Sequence, residues 1–507
     1  MKKIVRQRLA HEKRQIEKRL KDAVGVNEGG PVLRGGTIEY ELSGRVSGIA
    51  HGGMGLVQRV VRGIGLAEAI DANVEVLKIH KPYHESDHVL NIAYNALCGG
   101  ERLDDIELRR NDRVLLDALG TASLPDPTTA GDFCRRFESE SIFRLMKAIN
   151  QARLEVWKRQ PDTFRAATAR IDADGSIIPT MGEHKQGMDI SYNGIWGYSA
   201  LVVSLANTGE PLFLANRPGN RPSHEGVIGL FDQAIALCRQ GGFGDVLLRG
   251  DTDFSLTTEL DRWTDDGVRF VFGYDARANL IARANQVDSS LYQDLVRRAD
   301  YLVQTRRARA RSENVQDRIV REREYKVMRT TSEEVFEFEY QPTQCRRSYR
   351  MVVLRKNLSI EKGEETLFDD VRYFFYITND RTLSCNEVVQ EARQRCNQEN
   401  LIAQLKGGVR ALHAPVNSLH ANWAYMIMAA LAWSLKAWIA LLVPVSARWA
   451  AQHLEQRRRL LTMDFRTFVA AIIHIPCQII RAARRIRYRI LAWNEWQGTF
   501  FRLLDAV

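Results

Sequence analysis

Three observations in the chain predict an α/β fold built on a mixed sheet. Between residues 169 and 273, apolar stretches of strand length alternate with helical patterns. One of these strands, Val246–Arg249, runs through Gly250 directly into two carboxylates, Asp251 and Asp253. A strand that ends in a carboxylate suggests a use for it, because an unpaired buried charge is costly. Apolar residues make up 45% of the chain and charged residues 26%, the proportions of an ordinary folded protein.

The length of 507 residues exceeds what one core usually serves, so about three structural units are expected. A net charge of +10 and a pI near 9.2 point to a polyanionic partner, nucleic acid before an anionic membrane. The seven cysteines are scattered and contain no C-x-x-C pair. That argues against a disulfide framework or a zinc site and for a reducing compartment. Residues 1–22 carry nine Lys/Arg and no apolar core, so they read as a basic helix or tail, not a secretory signal.

Taken in order, residues 1–150 read as a mostly α region. A Gly-rich link (25–36) leads to a strand at 37–42, then helical patterns follow at 55–64, 89–97, 113–119 and 130–150. Strands then take over at 169–178, 198–205 and 211–216, the last two joined by the turn Asn207-Thr-Gly209. A helix at 223–240 is closed by Gly241-Gly242. It is followed by the strand 246–249, a helix through Leu256, Leu260 and Trp263, and a strand at 268–273. Three antiparallel strands, helix, strand, helix, strand is the order of a ribonuclease H-like core, here the first part of it (151–280). Carboxylates fall on its first strand (Asp172 or Asp174) and at the end of its fourth (Asp251).

Residues 281–380 read as an insertion, basic and helical up to 330, with Arg306, Arg307, Arg309 and Arg311 as its densest run. Beyond that it is β-rich, with strands at 335–340, 349–354 and 373–377. The second part of the core (381–445) carries a helix over 386–406, with capping-box spacing at Ser384 and Glu387. Arg395, Glu399 and Lys406 share one face of it. The apolar stretch 421–445 is long enough to span a membrane, but Asn422, Ser434 and Lys436 interrupt it; it reads as a buried helix, and its Trp423, Trp433 and Trp438 as core. Residues 446–507 read as basic C-terminal helices on a nucleic-acid surface, with Arg457–Arg459 and five arginines between Arg481 and Arg489.

Three carboxylates on such a sheet suit two divalent metal ions. One ion activates a water or 3′-hydroxyl and the other stabilises the leaving oxygen. Mg²⁺, hard and oxygen-preferring, fits, and Mn²⁺ is expected to substitute. Arg395 and Lys406 are placed to hold phosphates. The bland alternative is that Glu399 is only the i,i+4 partner of Arg395.

The blocks Ile171-Asp-Ala-Asp-Gly-Ser176, Lys185-Gln-Gly187, Tyr192-Asn-Gly194, Arg217-Pro-Gly-Asn220, Leu248-Arg-Gly-Asp-Thr-Asp-Phe254 and Arg395-x3-Glu399-x6-Lys406 together resemble the DDE group 1 transposases of bacterial insertion sequences, the thirteen-eighty family. The joint order of the blocks is what is specific, and it spans nearly the whole chain. The resemblance implies an α/β, ribonuclease H-like catalytic core with a β-rich insertion, a DNA-binding N-terminal region and Mg²⁺-dependent cut-and-paste transposition. It implies catalytic and metal-holding roles for Asp174, Asp251 and Glu399. Asp174 is preferred as first acid because Ser176 follows it in the family's manner, with Asp172 as the alternative. Ala392 stands where the family usually has Tyr. The implied partners are DNA with terminal inverted repeats, target DNA and a second copy of the chain; the implied setting is the bacterial cytoplasm, and no membrane. A repeat-binding protein that does not cut, and a structure-directed nuclease on the same fold, are the competing readings.

Overall fold

The structure, a computed structural model, describes residues 3–22, 40, 46–295, 318, 319, 323, 326–362, 365–482 and 485–507. The link 25–36, the expected strand 37–42 (Tyr40 apart) and Arg306, Arg307, Arg309 and Arg311 lie outside the described residues.

The centre is one mixed sheet. Strands β1 (Ala169–Pro179), β2 (Trp196–Leu205), β3 (Glu210–Pro218), β4 (Val246–Gly250) and β5 (Arg269–Tyr274) lie side by side in the order β3-β2-β1-β4-β5. The β1–β2 and β2–β3 pairs are antiparallel, while β1–β4 and β4–β5 are parallel. The first three strands are antiparallel neighbours, as expected of the core. The insertion does not form a separate layer. Its strands β6 (Lys326–Tyr340), β7 (Tyr349–Lys362) and β8 (Glu365–Thr378) are all longer than expected, and they prolong the same sheet through an antiparallel β5–β8 pair. The backbone of β5 would otherwise present an open edge, which pairing satisfies.

Side-chain alternation sorts the sheet into two faces. Ile171 and Ala173 of β1, Leu248 of β4, and Phe270 and Phe272 of β5 are buried in the main core, against which helix α1 (Val227–Gln240) packs. Leu247 and Val271, one residue out of phase, join a smaller core with Val388 and Val389. Those valines belong to α2 (Cys385–Gln394), which continues after a break at Arg395 as α3 (Cys396–Ala403) and a π-helical turn at Gln404–Gly408. The expected single helix 386–406 is therefore segmented, and Arg395 sits at the joint.

Two further expectations are corrected. The helix anticipated over 130–150 is two helices, Pro127–Cys134 and Ser139–Lys158, the latter starting where the Glu138 backbone N–H donates to Ser141 Oγ. The C-terminal region is helical at Ala450–Thr462, but the arginine-rich end is a β-hairpin, Cys477–Ala482 with Arg485–Ile490, paired to a short strand at Ser47–Ile49. The reason is legible in Arg485-Ile-Arg-Tyr-Arg-Ile490: basic and apolar residues alternate with period two, which suits a strand and not a helix.

The apolar helix Leu419–Leu442 is long and apolar enough to cross a membrane, and the fold buries it. It packs on β3 and on the helices Glu85–Leu97, Ser139–Lys158 and Ala450–Thr462. Each of its polar interruptions has an internal partner. Asn422 Nδ2 donates to the carbonyls of Val416 and Ser418, Ser434 Oγ accepts from Arg153, and Lys436 Nζ donates to the Leu461 carbonyl at 2.8 Å while lying 3.9 Å over the Trp433 ring. A fully buried carboxylate, Glu210, ties the helix to the core. It accepts from Arg153 Nε (2.9 Å), Trp438 Nε1 (2.7 Å), Trp157 Nε1 (3.2 Å) and Thr208 Oγ1 (2.5 Å).

Burial lowers the Lys436 ammonium to about 7. Between about pH 7 and 10.5 the unfolded chain therefore binds the proton that the folded chain has lost, and stability rises with pH across that window. Lys436→Met should stabilise the protein by about 1–3 kcal/mol at pH 7, with the gain shrinking toward pH 10. Thermal melts at the two pH values check this.

Candidate active site

The face of the sheet that carries α2 and α3 is unusually charged. Alternation along β1 places Arg170, Asp172 and Asp174 on it, and alternation along β4 places Arg249 there, with Asp251 one step past the strand end. Helical spacing adds Glu391, Arg395 and Glu399, four and eight residues apart. The charges meet in two tiers.

The lower tier is closed. Arg249 is fully buried and grips Asp172 with two hydrogen bonds, Nε to Oδ1 at 2.7 Å and Nη2 to Oδ2 at 2.8 Å. Its remaining Nη1 donates to Glu391 Oε2 at 2.9 Å. Arg170 donates to the same carboxylate, Nη2 to Oε1 at 2.6 Å. Two guanidiniums face two carboxylates, and paired fork geometry is what makes such a buried group tolerable. Both oxygens of Asp172 are thus engaged by Arg249.

The upper tier is open. Among the described residues, Asp174, Asp251 and Glu399 stand there with one cation, Arg395, whose Nη1 donates to Asp174 Oδ2 at 3.2 Å and whose Nη2 lies 3.9 Å from Glu399 Oε1. Asp174 and Arg395 are largely buried, while the Glu399 side chain is 61% exposed. Asp251 comes off the end of β4 as an N-cap, its Oδ1 accepting from the Asp253 N–H at 3.0 Å; Asp253 itself is exposed to solvent. This turn needs a bare neighbour. A Cβ on Gly273 of β5 would stand 2.9 Å from the Thr252 nitrogen and 3.1 Å from the Asp251 carbonyl carbon.

Three carboxylates against one guanidinium leave two negative charges in excess, and the acids feel one another. Burial first, opposed by Arg395 but helped by the charges of Asp251 and Glu399, pushes the Asp174 carboxyl up to about 6. Burial also raises Asp251. All three donors are hard carboxylate oxygens, the set that suits Mg²⁺, and the excess charge is that of one dication. As the side chains stand, no three His, Cys, Asp or Glu among the described residues are gathered closely enough to hold a metal ion; Arg395 stands among the acids.

Lys406 lies in the π-helical turn. Its Nζ donates to the Ile177 carbonyl of β1 at 2.9 Å, and burial lowers its ammonium. It therefore braces the helix end against the strand that carries Asp174. Arg217, from one of the sequence blocks, is also structural: it donates to the carbonyls of Pro222, Ser223 and Glu225 and to Ser199 Oγ, shaping the loop beside Gly175. Sequence reasoning misses Arg249 and Gly273. Arg249 carries one readable signal, a lone charge in an otherwise apolar strand.

The family model described as transposase DDE domain, group 1, matches residues 33–507. A comparison with curated proteins finds no match. Among solved structures the chain is similar to the cryo-EM structure of a piggyBac transposase synaptic complex with hairpin DNA, at 8% identity and a TM-score of 0.34, over 83% of this chain and 81% of that one.

The raised Asp174 predicts a measurable conflict between site and stability. The folded protein holds the Asp174 proton up to about pH 6, whereas an unfolded Asp loses it near 4, so stability falls as pH rises through that window. Asp174→Asn should raise stability above pH 6 by up to about 3 kcal/mol and leave it nearly unchanged at pH 4, by chemical denaturation in a metal chelator.

Proposed function

The chain belongs to the group 1 DDE transposases, and on that premise we propose that it cleaves and joins DNA strands at the terminal inverted repeats of a mobile element, with Mg²⁺ as the metal and Asp174, Asp251 and Glu399 as its holders. One observation supports this reading: Asp174 within β1, Asp251 just past the end of β4 and Glu399 on α3 lie on one face of the sheet around Arg395, with a charge excess of two. Asp172 supports this assignment by being engaged elsewhere, which leaves Asp174 as the acid of β1 facing Asp251. When bound, two such ions supply an activated water or 3′-hydroxyl and neutralise the charge on the leaving oxygen. The chain's own residues do the rest. The Arg249 tier fixes the height of Glu399 and Arg395 above the strands, Gly273 lets Asp251 turn into the site, and Lys406 holds the end of the helix to β1.

The DNA itself is proposed to run over the two chain ends. Residues 1–22 hold nine Lys/Arg and three Asp/Glu, and residues 446–507 hold eleven and four. The 423 residues between hold 52 and 55, so taken as a whole the middle is near neutral and the net positive charge of the chain is carried by its two ends. In the fold the two ends meet, the helix Lys3–Asp22 lying against Gln497–Leu504. On the C-terminal hairpin, Arg487 and Arg489 share one exposed face at strand spacing. A second copy of the chain, holding the other end of the element, completes the proposed assembly.

Two measurements test the reading. With a labelled repeat-end duplex and Mg²⁺, Asp251→Asn should lower strand cleavage by roughly a thousandfold or more and leave DNA affinity within about twofold; undiminished cleavage would refute the site. Converting Arg487 and Arg489 together to Gln should reduce the slope of log affinity against log salt by nearly 2, at about 0.9 for each phosphate that is no longer neutralised, with no change in melting temperature.

A further inference from the structure

Arg395 stands in a place a phosphate-binding arginine does not require. Its guanidinium is directed inward, 3.2 Å from Asp174 Oδ2 and 3.9 Å from Glu399 Oε1, with its side chain only 16% exposed. It lies at the joint between the two helix segments, where the ordinary α-helical run is interrupted and the Gln398 N–H bonds instead to the Arg395 carbonyl at 2.8 Å. Among the described residues it is also the cation set against the upper tier, its charge acting on Asp174 and Asp251 and reaching Asp172 below them.

The lower tier gives this arrangement its consequence. Both oxygens of Asp172 belong to Arg249, and Glu391 is shared by Arg170 and Arg249. Arg395 therefore has no spare carboxylate to fall back on in the ladder below. A dication on the Asp174 carboxylate would stand close to a guanidinium that is itself 3.2 Å from Asp174 Oδ2, and the repulsion between two cations sharing one partly buried carboxylate sets each against the other. A guanidinium so weakened on Asp174 is open to a stronger anion, and a DNA phosphate is one.

We propose that Arg395 is a built-in competitor of the metal: it occupies Asp174 and braces Glu399, and so holds down the metal affinity of the DNA-free protein. The inference rests on the reading of the three acids as a metal site. It assigns Arg395 a positioning role distinct from contact with the cleaved strand, and it makes loading of the site conditional on something that draws the guanidinium away. Without this competitor the three carboxylates would carry three uncompensated negative charges and would fill with any abundant dication in advance of DNA.

The test is Mn²⁺ binding to the full chain without DNA, followed by the loss of the free-ion electron paramagnetic resonance signal. Arg395→Gln should bind Mn²⁺ about tenfold more tightly than wild type, within the usual span of coupling between linked sites. Arg395→Lys, which keeps a cation at the joint, should return toward the wild-type value. Arg221→Gln removes an equal charge from the exposed loop that packs beside Gly175 without touching either acid, and should shift the affinity by less than about twofold, as a screened charge does. Equal or weaker binding by Arg395→Gln overturns the proposal, and so does equal tightening by Arg221→Gln, which would show a general charge effect. If wild type and Arg395→Gln bind no Mn²⁺, or if Asp251→Asn binds as well as wild type, the metal-site reading itself fails. Thermal melts of each variant establish that the folded protein is being compared.

Discussion

Arg249 is the charge on which the geometry of the site depends. It sits in the middle of the sheet, fully buried, on the fourth strand of the core, and it holds a carboxylate of the first strand and a carboxylate of the helix at once. A guanidinium in such a place is stable only while every one of these partners is kept, since removing one leaves an uncompensated buried charge. The three elements are thereby locked in register. Once Glu391 is fixed at the lower level, helical geometry sets Arg395 one turn above it, at the joint from which the segment carrying Glu399 continues. The three acids of the open tier are thus positioned by a tier whose own charges are already paired.

The contrast between the tiers is a contrast in satisfaction. Below, two cations meet two anions and nothing further can bind. Above, three anions share one cation, and burial makes the shortage felt, as the raised Asp174 shows. Such an imbalance costs stability, and imbalances of this sort cluster where function needs them. The insertion serves the same arrangement from the side: by pairing β8 with β5 it keeps the strand that carries Gly273 in the interior of a broad sheet, where it can support the turn at Asp251.

Much of this is legible in the chain itself. Alternation in Ala169–Ile178, the apolar run ending at Asp251, and the Arg395–Glu399 spacing identify the strands and the acids, because each is a local pattern with one dominant period. What is not legible depends on pairing across long separations. Asp172 and Arg249 lie 77 residues apart, and nothing in either neighbourhood says that they meet. No Pro or Gly marks the break at Arg395; the helix is interrupted where that side chain turns toward Asp174. The C-terminal hairpin is a different failure: its period-two pattern is present in Arg485–Ile490, but the density of arginines suggests an amphipathic helix. The place of Lys406 on the helix suggests a phosphate ligand, and the fold instead shows it holding a carbonyl of β1.

The Glu210 hub has a consequence for how the molecule comes into being. Its four partners come from residues 153, 157, 208 and 438, so a carboxylate made early in synthesis waits for an indole made more than two hundred residues later. Until then the emerging chain holds an incompletely satisfied charge at the centre of its first half. Contacts of such long range are slow to form and leave apolar surface uncovered in the interval. The third acid, at 399, arrives in that same late stretch. A ribosome-bound chain thus reaches a settled interior and a complete set of acids at nearly the same moment, and a truncated product has neither.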